Sequence, residues 1–301
     1  RGWMQMKKRI FFVFNMHAGK ARIKTKLSDI LNTFTEKGYE VTAYPTQYAG
    51  EAVLRIEALE DGYELVVCSG GDGTLDEVVT GMMRRPEEKR IPIGYIPAGS
   101  TNDFAKSLGL PQKMEDAAAR IMAGKRFPCD IGAFNGDYFV YIAAFGIFTD
   151  VSYQTDQQMK NVLGHMAYIL EGMKRLTNIV SYKMKLRWED REVEDDFLFG
   201  MVTNSRSVGG FKSIIGTEVV LDDGVFEVTF IKRPKNLLEL NETLTALVLA
   251  EIDERYMYSF RTSRLTVEAE AEVPWTLDGE YGGDHRAAVI ENRKQALEFI
   301  V

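Results

Sequence analysis

The first third of the chain alternates short apolar runs with stretches in which apolar residues recur at helical spacing. A short apolar run between turn residues predicts a buried strand, and helical spacing predicts an amphipathic helix. The predicted strands are Arg9–Asn15, Glu40–Tyr44, Leu65–Cys68 and Ile93–Ile96. Strands that alternate with helices are typical of a parallel sheet covered by helices, in which ligands bind at the carboxyl ends of the strands.

The pattern changes near Cys129, after which strand-like runs dominate. These runs are Asp130–Phe134, Tyr138–Ala144, Lys183–Trp188, Phe197–Asn204, Val225–Ile231 and Leu265–Glu268. Asn135-Gly136 predicts a type I′ hairpin turn, and helices are expected near 165–176 and 237–250. The chain thus predicts an α/β fold in two parts. An α/β domain spans residues 1–128, to which 290–301 returns, and a mostly antiparallel β-rich domain spans 129–289.

Composition argues against nucleic-acid binders, zinc enzymes and proteins that span a membrane. With 301 residues, of which 45% are hydrophobic, the chain is long enough for two globular domains. The net charge of −7 gives no reason to expect a nucleic-acid partner, and two cysteines and three histidines disfavour a zinc enzyme. The longest apolar run, Tyr138–Phe148, is shorter than the ~20 residues that span a bilayer. No signal peptide is recognised, so we expect a cytoplasmic protein.

The loop Gly70–Thr74 follows a predicted strand and opens a predicted helix. Glycines let backbone N–H groups approach an anion, and a helix N-terminus adds unpaired donors and a positive dipole end. Asp72 would repel phosphates unless Mg²⁺ lies between them. The segment therefore predicts a phosphate site, although a plain turn with Asp72 as helix cap also fits it.

The next predicted strand ends in a similar loop, Gly99–Asp103. Its hydroxyl, amide and carboxylate groups suit the sugar and phosphates of a nucleotide. Taken alone, the loop is better interpreted as a helix start capped by Asn102 or Asp103.

Four loops spread over the chain form a recognisable series. They are Gly70–Thr74, Pro97–Phe104, Asp130–Gly132 and Asp278–Gly283, and Ala143–Tyr153 and Ser207–Phe226 continue the series. Together they resemble the motifs of bacterial soluble diacylglycerol kinases and related lipid kinases, from about Lys8 to the C-terminus. Matches in ordered loops across two domains are more specific than any single motif.

The resemblance implies that residues 1–128 bind ATP, that 129–289 bind a lipid substrate, and that the active site lies in the cleft between them. By residue match, the ATP contacts would be Asn15, Met16, His17, Ala18, Gly19, Thr46, Gly71, Asp72, Gly73, Thr74, Leu75, Asp76, Glu77 and Ser100. Two positions depart from the family pattern. Met16 stands where proline is usual, and Ser100 stands where threonine is usual but keeps the hydroxyl.

The resemblance also implies two magnesium sites. Asp72, Asp103 and Asp130 match a network of aspartates, water and Mg²⁺ at the active site. Asp223, with the backbone carbonyls of Val220 and Val225, matches a second, structural Mg²⁺ site. From the residues alone, Asp223 would only belong to a turn.

Asp278 and Glu280 are the candidate acid–base residues. They lie two positions apart, so in an extended segment both carboxylates would point the same way. One would accept the proton of the substrate hydroxyl, and the residue match favours Glu280, with Asp278 beside it. The alternative is a polar turn that Gly282-Gly283 ends.

These features predict an ATP-dependent lipid kinase that phosphorylates a lipid hydroxyl. The reaction we favour converts diacylglycerol to phosphatidic acid. The alternatives are an NAD kinase-like phosphotransferase, which shares the Gly-Gly-Asp-Gly-Thr loop, and a non-catalytic regulator that binds nucleotide or lipid. The partners expected are a lipid substrate and, transiently, the inner face of the membrane, and the resemblance adds a homodimer. An apolar helical stripe over Met159–Met173 would meet the lipid or, the interpretation we favour, pack into the core or a dimer face.

Overall fold

The computed structural model describes residues 8–100, 102–146, 180–204, 207–208, 211–212, 220–249 and 252–301. The chain divides into two compact units. Unit 1 comprises Arg1–Cys129 and Gln295–Val301, and unit 2 comprises Asp130–Lys294. A fold in two parts, of which the second is rich in strands, is confirmed.

Unit 1 is built on parallel strands. They are Lys8–Phe14 (β1), Tyr39–Pro45 (β2), Leu65–Gly70 (β3) and Ile93–Pro97 (β4), in the order β2-β1-β3-β4. The helices are Ile23–Glu36 (α1), Glu51–Glu57 (α2), Asp72–Arg84 (α3), Asp103–Ser107 (α4) and Met114–Ala123 (α5), with a 3-10 turn at Glu87–Lys89. Phe12 illustrates the register, since it pairs with Ala43 on one side and Val67 on the other. All four carboxyl ends therefore lie along one edge.

The core of unit 1 explains why these segments fold as they do. Helix α1 packs against α5, and α2 packs against α3. Phe12 and Phe34 are fully buried and meet edge to face, with ring centroids 5.8 Å apart. Burial of such a side chain stabilises the fold by about 1.5–3 kcal/mol. The apolar face of α1 thus packs against the sheet, and the loops are exposed at the carboxyl ends of the strands.

Strands dominate the rest of the described residues. They are Arg126–Phe134 (β5), Asp137–Phe139 (β6), Ile142–Gly146 (β7), Tyr182–Trp188 (β8), Arg191–Thr203 (β9), Ser207–Val208 (β10), Phe211–Lys212 (β11), Phe226–Lys232 (β12), Met257–Thr262 (β13), Arg264–Leu277 (β14) and Glu280–Ile300 (β15), with a helix at Leu237–Leu249 (α6). In unit 2 the order β13-β12-β9-β7-β14-β15 is antiparallel throughout. Its core is aromatic, with Phe145 packed against both Trp275 and Phe230. The last residues of β15 belong to unit 1, where Phe299 pairs with Ile93.

Three predictions about elements meet the structure here. The hairpin at Asn135-Gly136 is confirmed, because both residues have positive φ, 49° and 92°. A single strand over Tyr138–Ala144 is wrong, since the chain breaks between β6 and β7. The predicted helix near 165–176 lies outside the described residues.

Among the described strands, β10, β11, β13 and β15 were not predicted from the sequence, and only the start of β14 was. The exposed positions of β15 carry many charged residues, which hides its alternation. Among the described residues, no helix is both long and apolar enough to span a membrane.

Candidate active site

The loops that follow β1 to β4 are tied to one another by backbone hydrogen bonds. The Asn15 N–H donates to the Ser69 carbonyl at 2.9 Å, and the Ala98 N–H donates to the Gly70 carbonyl at 2.8 Å. The Thr46 N–H donates to the carbonyl at the end of β1 at 3.0 Å. Unit 1 thus brings the predicted nucleotide loops together at the carboxyl edge of its sheet.

Close backbone contact explains the glycines in these loops. Gly19 has a φ of 56°, and a Cβ there would lie 2.2 Å from the Ala98 carbonyl oxygen. A Cβ on Gly99 would lie 2.6 Å from the Cα of Gly71. Any side chain at these positions would force the loops apart, so glycine sets their spacing.

The first loop is organised by its own asparagine. The Asn15 Oδ1 accepts a hydrogen bond from the His17 N–H at 2.8 Å. The side chains of His17 and Ser100 are exposed, so both are accessible to a bound nucleotide.

Helix α3 starts at Asp72, with Gly71 as its N-cap residue. Its amino end, which carries the positive end of the helix dipole, therefore lies within the same group of loops and suits phosphate. Two predicted ATP contacts have other roles in the structure. Leu75 is 1% exposed and faces the core, while the Glu77 carboxylate accepts hydrogen bonds from Gly50 and Ala52 N–H at 2.8 and 3.1 Å.

Asp72 and Asp103 form a pair of neighbouring carboxylates in unit 1. The Asp72 Oδ2 accepts a hydrogen bond from the Asp103 N–H at 3.4 Å, and Lys106 lies 3.4 Å from the Asp103 carboxylate. Burial, and then the charge of Asp103, raise the pKa of Asp72 to about 6. The buried Asp72 Oδ1 has no hydrogen-bond partner among the described residues. This oxygen fits Mg²⁺, which takes oxygen ligands and keeps several waters.

A buried tyrosine that the sequence reasoning missed connects the two glycine loops. The Tyr95 hydroxyl lies 3.2 Å from the Gly70 carbonyl oxygen and 3.4 Å from the Asn102 Oδ1. Asn102 in turn exchanges hydrogen bonds with the backbone of Gly99, both at 2.9 Å. Burial raises the pKa of Tyr95, so its hydroxyl stays protonated and donates. The sequence gave no sign of this role, because Tyr95 lies within an apolar strand and its partners lie in two separate loops.

Asp130 belongs to unit 2 and is fully buried. Its Oδ2 accepts hydrogen bonds from the Gly224 N–H at 2.6 Å and the Asn292 Nδ2 at 3.2 Å. It thereby holds the turn that contains Asp223. Its role in the predicted magnesium network stays a prediction.

The predicted structural magnesium site is already occupied by a cationic side chain. The Asp223 Oδ1 accepts a hydrogen bond from the Val225 N–H at 3.1 Å, and Oδ2 pairs with the Arg261 guanidinium. Arg261 also lies 3.2 Å from Glu227, whose burial raises its pKa to about 7. The arrangement does not fit Mg²⁺ at Asp223 unless Arg261 moves away. In the described part of the chain, no cluster of three or more His, Cys, Asp or Glu could hold a metal.

Asp278 and Glu280 differ sharply in their surroundings. The condition of one extended segment is not met, because Asp278 and Gly279 form the turn between β14 and β15, with φ values of 51° and 88°. The Asp278 carboxylate is buried and accepts hydrogen bonds from three consecutive backbone N–H groups, those of Val140, Tyr141 and Ile142, at 2.5, 2.9 and 3.0 Å. These bonds break the strand predicted at Tyr138–Ala144. Glu280 is exposed at the start of β15.

Some predicted features fall on residues outside the described ones. These are the stripe over Met159–Met173, Thr101 in the loop Gly99–Asp103, most of Ala143–Tyr153 and part of Ser207–Phe226.

Both parts of the chain match known families. Residues 9–134 match the diacylglycerol kinase catalytic domain, and residues 142–301 match the YegS C-terminal NAD kinase beta sandwich-like domain. A Staphylococcus carnosus protein named diacylglycerol kinase is 33% identical over 295 residues, which cover 97% of this chain and 95% of the relative. The chain belongs to the diacylglycerol kinase family.

Two further proteins named diacylglycerol kinase match this chain over nearly its whole length. A Bacillus subtilis relative named diacylglycerol kinase is 33% identical over 279 residues, covering 92% of this chain and 91% of its own. The crystal structure of a Bacillus anthracis diacylglycerol kinase matches 99% of this chain and 98% of its own, with a TM-score of 0.74 and 22% identity. At that identity the structure shows the two-domain fold alone.

Proposed function

We propose that this member of the diacylglycerol kinase family transfers the terminal phosphoryl group of ATP to the free hydroxyl of diacylglycerol and yields phosphatidic acid. The observation that carries the proposal is the meeting of the loops after β1, β3 and β4 at the amino end of α3. That arrangement supplies backbone donors for a triphosphate, next to the half-buried Asp72 and the buried Asp103. Family membership supports ATP as the phosphoryl donor.

On this proposal, the nucleotide contacts come from the loops at Asn15–Gly19, Gly71–Thr74 and Ser100, with Thr46 beside them. Leu75, Asp76 and Glu77 contribute through the backbone and shape of α3. Mg²⁺, when bound near Asp72, would neutralise the charge of the phosphates. The carboxyl group of Asp103 and the Lys106 cation would set the charge balance around it.

Glu280 is proposed as the general base. It accepts the proton of the substrate hydroxyl as the oxygen–phosphorus bond forms, and the bond from the terminal phosphorus to the bridging oxygen breaks to release ADP. Such a transition state is loose, so positioning and charge stabilisation supply most of the acceleration. Turnover on this proposal requires Glu280 of unit 2 to reach the triphosphate held by unit 1, in a cleft between the units. Asp278 supports the turn rather than taking the proton.

The proposal is tested by incubating the purified protein with γ-labelled ATP and Mg²⁺. The acceptors are vesicles that contain diacylglycerol, monoacylglycerol, phosphatidylglycerol, undecaprenol or sphingosine, and NAD in a separate arm. We expect label in phosphatidic acid. Glu280→Gln should lower kcat by about 10²–10⁴-fold, the usual contribution of a general base, with the KM for ATP little changed. Label in NAD alone would support the NAD kinase alternative, and ATP binding without transfer to any acceptor would support a non-catalytic regulator.

A lipid acceptor also requires the protein to visit the membrane surface, which we propose takes place at the cytoplasmic face. Flotation with vesicles of zwitterionic or anionic lipid tests this contact. The homodimer expected from the resemblance is tested by light scattering of the purified protein.

A further inference from the structure

A β-bulge follows Glu280 in β15. The register between β14 and β15 shifts there, so that Gly282 and Gly283 on β15 face a single residue, Trp275, on β14. Gly283 has a φ of 95°, a conformation that glycine adopts without strain. Bulges bend a strand and redirect its side chains, often beside active sites. The direction in which Glu280 projects therefore depends on how firmly this bulge is held.

A histidine closes the bulge by a hydrogen bond whose direction the structure fixes. Asn135 Oδ1 accepts from the Val289 N–H, and Asn135 Nδ2 donates to the Ala287 carbonyl, both at 2.9 Å. These partners fix the orientation of the amide, so the Asn135 Nδ2, which lies 3.1 Å from the His285 Nδ1, is a donor. The His285 Nδ1 accepts, and its Nε2 carries the proton. The Nε2–H donates to the Gly282 carbonyl at 2.9 Å.

The imidazole is also held by packing. Its ring meets the buried Phe134 ring edge to face at 5.2 Å. The absence of a side chain at Gly283 makes room for it, because a Cβ there would lie 2.8 Å from the His285 Nε2. Asn135, Gly282 and Phe134 thus hold the His285 ring in one position, and the ring in turn holds the Gly282 carbonyl.

We propose that His285 is a positioning residue for phosphoryl transfer, which holds the bulge so that Glu280 projects toward the substrate hydroxyl. This inference rests on the proposed function and on Glu280 as the base. His285 itself touches no reacting group. It acts as a link from the β5–β6 hairpin, through Asn135, to the strand that carries Glu280.

Three variants separate this role from general stability. His285→Phe keeps the ring contact with Phe134 but removes both hydrogen bonds, and His285→Gln restores a side-chain donor toward Gly282. Arg286→Ala, at the exposed neighbouring position, is the matched control. We expect His285→Phe to lower kcat about 10- to 100-fold, the scale on which small misplacement slows a reaction. Its KM for ATP should stay within about twofold, because the nucleotide loops are untouched.

The expected pattern has two further parts. His285→Gln recovers most of the kcat, and Arg286→Ala matches the wild type. Added to Glu280→Gln, His285→Phe causes no further loss, because both changes act at the same step. Without any substrate, backbone amides of 280–284 exchange faster in His285→Phe than in the wild type, while the rest of unit 2 exchanges as before.

The outcomes for the two proposals are distinguishable. An active wild type with an inactive Glu280→Gln and a fully active His285→Phe would overturn the role of His285 alone. Equal kcat losses in His285→Phe and His285→Gln would overturn it as well, and so would unchanged amide exchange at 280–284. A wild type that labels no acceptor, or a fully active Glu280→Gln, would instead overturn the proposed function or its base.

Discussion

Replacement of Asp278 by asparagine separates a structural carboxylate from a catalytic one. Asn-Gly is as favourable as Asp-Gly in a two-residue turn with positive φ at both positions, so the turn by itself predicts no loss. The contacts predict the opposite. The asparagine side chain would keep one oxygen, enough for the Tyr141 and Ile142 N–H groups that now share Oδ1. Its NH2 group would face the Val140 N–H, donor against donor.

The magnitude follows from these bonds. A hydrogen bond to a charged group contributes about 1.5–3 kcal/mol, and a buried donor left without an acceptor costs about 1–3 kcal/mol. Because the two remaining bonds also weaken when the charge is lost, we expect Asp278→Asn to lower the free energy of unfolding by about 2–4 kcal/mol. For a unit of roughly 150–250 residues this lowers Tm by about 4–16 °C.

Calorimetry of the wild type, Asp278→Asn and Glu280→Gln tests the reasoning. Glu280 is exposed, so Glu280→Gln should leave Tm within about 2 °C of the wild type while it lowers kcat. The reasoning is refuted if Asp278→Asn unfolds at or above the wild-type Tm. It is equally refuted if Asp278→Asn keeps its Tm and loses only kcat, because Asp278 would then act in the chemistry.

Three further predictions concern the phosphate loops and the Asp223 turn. The pKa of Asp72 is about 6 in the folded protein against an ordinary 3.8, so ionisation of Asp72 lowers the free energy of unfolding by an amount that grows from pH 4 to pH 6. Without Mg²⁺, Asp72→Asn should therefore raise Tm at pH 8 and leave it unchanged near pH 4. An equal shift of Tm at both pH values would contradict this. Gly99→Ala should weaken ATP binding about tenfold or more, ~1.4 kcal/mol, because its Cβ would press on Gly71; an unchanged Kd by calorimetry would count against the loop contact. Arg261→Gln should lower Tm in EDTA, and added Mg²⁺ should then raise Tm because the cation replaces the guanidinium at Asp223. If Mg²⁺ raises the wild-type Tm by the same amount, Arg261 does not take the place of a cation at Asp223.

Features set by local pattern were predictable from the sequence. The strands β1, β3 and β4 are apolar over most of their length because both faces are covered, so short apolar runs were a sufficient signal. The glycine loops follow from the same pattern, since each comes directly after a buried strand. Their meeting along one edge requires only parallel pairing.

Features set by partners distant in the sequence were not predictable. The break between β6 and β7 is caused by Asp278, which lies well over one hundred positions later in the chain. Glu77 looks like a nucleotide contact on the first turns of α3, yet its oxygens accept from the amino end of α2. Tyr95 gave no signal because its hydroxyl finds partners only when two loops fold against β4.

The acidic residues of the motif series divide according to how many of their oxygens the protein already satisfies. Asp130 and Asp278 each accept two or more hydrogen bonds from groups of the chain, and each holds a turn or a strand break in place. Asp72 keeps a buried oxygen without a hydrogen bond among the described residues, and Glu280 projects into solvent. A carboxylate that the fold has saturated gains little by binding a cation or a proton, whereas an unsatisfied one is stabilised by either. A shared motif cannot separate these two classes, but the hydrogen bonds of each carboxylate can. Substitutions in the first class should therefore lower Tm, and those in the second should lower kcat while leaving Tm unchanged or higher.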